Sequence, residues 1–70
     1  MAIHVQHTYS TTVEIIYTHH NQAYGLTETT TGSMDDIFEH VSDVMIYYDF
    51  DNADVCSTET GEVLMIVKRT

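Results

Sequence analysis

One stretch of this chain has a clear helical period, and it lies between two pairs of β-rich segments. Taking 100° per residue from Met34, the residues Met34, Ile37, Phe38, Val41, Val44, Met45 and Tyr48 fall on one face. Gly32-Ser33 punctuates the chain just before it, and Ser33 is placed to act as N-cap, with Asp36 three residues on approximating a capping box. Asp35 and Asp36 sit where the helix dipole favours negative charge. The pattern predicts a helix from about Ser33 to Tyr48, closed by the weak helix formers of Asp49-Phe50-Asp51-Asn52.

Before the helix, Thr11-Thr12-Val13-Glu14-Ile15-Ile16-Tyr17-Thr18 is rich in β-branched and aromatic residues, the composition of a strand. His19-His20-Asn21-Gln22 can turn, and Ala23 to Thr30 can return antiparallel, weakened or bulged at Gly25. Ile3 to Thr8 reads either as a further strand or as an extension of the first. Thr27 to Thr31 reads as an exposed strand edge. After the helix, Asp54-Val55-Cys56-Ser57 and Val63-Leu64-Met65-Ile66-Val67 flank a short loop holding Gly61, which predicts a second hairpin. The expected fold is α+β: one domain over residues 1–70, a small antiparallel sheet in hairpin–helix–hairpin order with the helix packed on one face.

Charge narrows the function. Eleven carboxylates face only Lys68 and Arg69, for a formal net charge of −9, and nine of the acids lie between Asp35 and Glu62 with no Lys or Arg among them. Nucleic acid and anionic membranes should repel such a chain, whereas a basic protein surface should attract it. No apolar run approaches the roughly 20 residues of a membrane span. Cys56 is the single cysteine, which excludes an internal disulfide and fits a reducing cytoplasm. Met1-Ala2-Ile3-His4 has no basic-then-apolar pattern, so no signal peptide is expected. A core this small commonly takes support from a second copy, so a homodimer is an open expectation.

The helix's opposite face carries the strongest functional pattern. Asp35, Glu39 and Asp43 form an i, i+4, i+8 ladder, with Asp36 beside it. Each like-charged pair at that spacing costs a helix about 0.2–0.5 kcal/mol. Ile46 and Tyr47 interrupt the acids with apolar surface, and Asp49, Asp51 and Asp54 extend the negative potential past the helix end. An aromatic and an aliphatic anchor among carboxylates suit a basic protein partner. The alternative is a solvated acidic face on a structural or regulatory homo-oligomer, paired through the sheet edge or the strand of Val63, Met65 and Val67.

The acids from Asp35 to Asp54, the closing Glu59-Thr60-Gly61-Glu62-Val63-Leu64 and the hairpin–helix–hairpin order resemble the small acidic inhibitors that phages and mobile elements direct against restriction or CRISPR effectors. That resemblance is one of kind, without a particular family. It implies a carboxylate ladder imitating phosphate spacing and blocking a nucleic-acid-binding surface.

Other chemistries are poorly supplied. Asp49 to Asp54 briefly resembles a calcium loop, but the sixth place holds Asp54 where glycine is needed, and the twelfth holds Thr60 where glutamate is needed. The histidines His4, His7, His19, His20 and His40 form no closed zinc pattern. Cys56, in a valine-rich strand, reads as a buried inert thiol. Asp36 and His40 are spaced to hydrogen-bond, with no nucleophile to join them. No phosphate-binding glycine loop is present. Neither an enzyme, a cofactor nor a metal site is expected.

Overall fold

The computed structural model describes residues 10–19 and 25–69. Four strands and one helix follow in the order β1 (Thr11–Thr18), β2 (Leu26–Gly32), α1 (Met34–Tyr48), β3 (Asn52–Ser57) and β4 (Val63–Lys68). The sheet order is β2-β1-β3-β4, with every neighbouring pair antiparallel. This is the expected α+β class. The possible strand over Ile3 to Thr8 and most of the His19–Gln22 turn lie outside the described residues.

Alternation along the strands assigns the two sheet faces. Val13, Ile15 and Tyr17 of β1 and Ala53 and Val55 of β3 are all fully buried against Ile37, Val41 and Met45 of α1. The intervening residues point away from the helix, and no helix or strand among the described residues covers that side of the sheet. α1 rests on β2, β1 and β3. The connection β2–α1–β3 therefore passes over β1 and brings β3 down on its far side.

The helix ends are closed by different means. At the start, Ser33 Oγ accepts the Asp36 N–H at 3.1 Å, as the sequence suggests. At the end, Asp49 adopts a left-handed conformation with φ of 62°, and the N–H groups of Asp49 and Phe50 both turn back to Met45 O. This closure swings Phe50 inward, where it is buried and stacks on Tyr17 with ring centroids 5.3 Å apart. Sequence reading treats Phe50 only as a helix-ending residue, because its burial depends on that one left-handed turn.

Three expectations need correction. Phe38 and Tyr48, assigned to the buried helix face, are 50% and 54% exposed. Phe38 lies about 160° round the axis from His40, which reaches β2, so its flank faces the β4 side where the helix no longer rests. Tyr48 closes the last turn beyond the buried sequence of Ile37, Val41 and Met45. Cys56 is half-buried, because strand alternation from buried Val55 turns it to the uncovered sheet face. Gly25 lies just before β2 and not within it; a Cβ there would stand 1.7 Å from the Tyr17 carbonyl oxygen, so the chain needs glycine at this crossing.

The second hairpin closes as the sequence suggests. Gly61 has φ of +76°, and Ser57 exchanges backbone hydrogen bonds with Glu62 and Gly61 across the loop at 2.8 Å. The β3–β4 register slips between Val55 and Cys56, which makes Leu64 an extra, bulged residue.

Candidate functional site

The outward face of α1 is the candidate site. Asp35, Asp36, Glu39 and Asp43 are all exposed along the 15-residue helix. At 1.5 Å rise per residue, the steps from Asp35 to Glu39 to Asp43 are about 6 Å each along the axis. None of these four carboxylates has a cationic partner among the described residues, so their charge is left to face outward.

Ile46 and Tyr47 share this face and are 71% and 80% exposed. Tyr47 is not an isolated ring. It packs edge-on against Tyr48 at 4.7 Å; Tyr48 lies 6.0 Å from Phe50; and Phe50 stacks on the buried Tyr17. An aromatic chain thus runs from the core to the most exposed large apolar side chain of the helix and supports it from one side.

The remaining acids of the sequence-derived set lie elsewhere. Asp49 accepts a 2.6 Å bond from Arg69 Nη1, and the same guanidinium nitrogen approaches Met45 O at 3.4 Å. Arg69 therefore brings a cation to the helix C-terminus, where the helix itself has none. Asp51 is half-buried in the connection to β3, held by backbone bonds to Thr18 and Arg69. Asp54 points to the uncovered sheet face and accepts the Asn52 amide at 3.0 Å, between Ile16 and Ile66 across the strands. Six of the named residues, Asp35, Asp36, Glu39, Asp43, Ile46 and Tyr47, are brought together; Asp49, Asp51 and Asp54 are not on that face.

Sequence reading missed a second grouping. His40 does not bond Asp36; its Nε2 meets Glu28 of β2 at 3.0 and 3.1 Å. Glu28 also accepts the Tyr17 hydroxyl at 2.7 Å. Burial, reinforced by the hydrogen bond to Glu28 and by its charge, holds the Tyr17 hydroxyl far above its usual range. Tyr17, Glu28 and His40 stand on three different elements, so no short motif could signal them.

Among the described residues, no three His, Cys, Asp or Glu side chains gather as metal ligands, and no helix is long and apolar enough to cross a membrane. No protein-family model, curated protein or solved structure matches the chain.

Proposed function

We propose that this chain is a protein-binding module whose outward helix face occupies a basic, nucleic-acid-binding surface of another protein, in the manner of a phage-encoded inhibitor acting in the cytoplasm. The observation that carries this reading is the exposure of Ile46 and Tyr47 at the C-terminal end of a helix face whose four carboxylates have no cationic partner among the described residues. A face serving only solvation gains nothing from a large aromatic and a branched aliphatic exposed side by side at its C-terminal end. Asp35, Asp36, Glu39 and Asp43 supply the long-range field, and Ile46 and Tyr47 supply the buried contact.

The test starts with capture of a partner from bacterial lysate and competition by duplex DNA, which a partner bound through its nucleic-acid surface should lose. Binding kinetics of a variant with Asp35→Asn, Glu39→Gln and Asp43→Asn are then read at two salt concentrations. Association at low salt should slow, and added salt should erase the difference, because exposed charges are screened within about 8–10 Å. Tyr47→Ala should instead speed dissociation. Unchanged association of the neutralised ladder at low salt would remove the mimic reading.

One observation supports a second reading, a homo-oligomer whose acids serve only solubility. On the edge strand β4, Val63, Leu64 and Ile66 are 49%, 42% and 55% exposed. Light scattering at micromolar concentration separates the two: a dimer mass favours this reading, and a monomer leaves the helix face as the interaction surface.

A further inference from the structure

Beside the acid ladder, the end of β2 and the first half of α1 leave an open cleft of about 190 Å³, lined by Thr30, Thr31, Gly32, Asp36, Ile37 and His40. It falls below the roughly 300–1,000 Å³ of small-molecule pockets. It far exceeds the roughly 10–15 Å³ that a single water needs. The space suits one amino-acid side chain.

Gly32 is what leaves it open. A Cβ at Gly32 would lie 3.7 Å from Asp36 Cβ and 3.9 Å from Ile37 Cγ1, so the missing side chain leaves room without relieving any clash. Buried Ile37 closes the floor of the cleft with its aliphatic side chain, and half-buried Thr30 supplies a hydroxyl. Asp36 brings a carboxylate without a cationic partner among the described residues, its backbone N–H already given to Ser33. His40, one turn on, is fixed by the two bonds from its Nε2 to Glu28.

The charges decide the occupant. Asp36, the nearby Glu28 and the adjoining ladder repel an anion, and the chain's formal charge of −9 favours a cation. Of the two basic side chains, guanidinium is the planar and more weakly hydrated one. It can lie beside an imidazole and over an aliphatic surface while its edge donates to a carboxylate and a hydroxyl. An ammonium would keep more of its water in so open a cleft.

We propose that this cleft seats an arginine side chain of the basic partner, with Asp36 accepting its hydrogen bonds, Thr30 adding an acceptor and Ile37 lying under its methylenes. The proposal rests on the reading that the partner is basic, and it identifies the residue that the partner presents.

The experiment uses probes of defined chemistry. Nα-acetyl-arginine methylamide and its lysine counterpart are titrated into the labelled protein and followed by amide NMR. Oligo-arginine and oligo-lysine peptides are then measured kinetically against the parent, Gly32→Val, Asp36→Asn and the neutralised ladder. Shifts from the arginine probe should centre on Thr30 to Gly32, Ile37 and His40, and exceed those from lysine. Gly32→Val, which fills the cleft and keeps every charge, should weaken oligo-arginine by about tenfold, mostly through faster dissociation, as for one charge-assisted pair. Asp36→Asn should weaken it by about as much.

Shifts spread along the ladder or centred on Tyr47 would overturn the proposal, as would parent-like affinity in a folded Gly32→Val. If Gly32→Val does not fold, Asp36→Asn and the map on the parent decide. Loss of peptide association in the neutralised ladder with no effect of Gly32→Val would leave the acidic-face reading and remove the cleft. The reverse pattern would keep the cleft and remove the ladder's role.

Discussion

β3 and β4 are adjacent strands of six residues each, and their compositions point the wrong way for their positions. β3 reads NADVCS and sits in the middle of the sheet, where Ala53 and Val55 are fully buried. β4 reads VLMIVK and sits at the edge, with Ile66 more than half exposed. The difference follows from where the helix lies. α1 covers β2, β1 and β3, so two well-placed residues of β3 are sealed, while β4 reaches the core only through the half-buried Met65 and Val67. An apolar edge strand is open to pairing with another chain. Here a bulge at Leu64 and a terminal lysine at Lys68, both devices that discourage such pairing, bracket its regular part.

The sharpest way to break this comparison is Val55→Asp. It buries a carboxylate with no partner at the centre of the sheet, and the penalty should exceed the roughly 3–5 kcal/mol expected of so small a domain. Far-ultraviolet circular dichroism should show an unfolded chain at 25 °C; a melt like the parent's would place β3 outside the core. Val41→Asp makes the same demand of the helix register, since Val41 is 0% exposed.

A smaller effect tests how the opposite edge is held. β2 is tied to both the core and the helix through Tyr17, Glu28 and His40. Tyr17→Phe should cost about 1 kcal/mol by urea unfolding, the net worth of a typical hydrogen bond. The pH dependence has a definite sign. The folded state holds the Tyr17 proton more tightly than the unfolded chain. Its contribution is therefore complete below the ordinary tyrosine value of about 10 and declines as pH rises above it. Tyr17→Phe should remove that part of the alkaline loss, and a parallel decline in both proteins would show that the hydroxyl is not the group responsible.

The smallest effect belongs to the apolar edge. Ile66→Thr keeps a β-branched side chain on the uncovered face and should alter stability by less than about 0.5 kcal/mol. A larger loss that grows on dilution, together with a fall from dimer to monomer mass, would mean that a second copy covers β4.

What the sequence determined by itself is local in origin. The helix is set by a 3.6-residue period and by Ser33 reaching its third neighbour, interactions within a few residues of chain, so its start, its end and its exposed acids are all legible. The same holds for the Gly61 hairpin and for the placement of Ile46 and Tyr47 on the acidic side. The strand order was decided only by the tertiary structure, since passing α1 over β1 makes β1 and β3 the centre and leaves the most apolar strand outside. The left-handed turn at Asp49 buries Phe50, and the return of β4 carries Arg69 to the helix C-terminus. His40 joins Glu28 across 12 residues and Tyr17 joins it across 11, and Gly32 opens a cleft only because α1 packs beside it. These contacts depend on how the whole chain closes on itself, and residue spacing carries no record of which distant neighbour a side chain will meet.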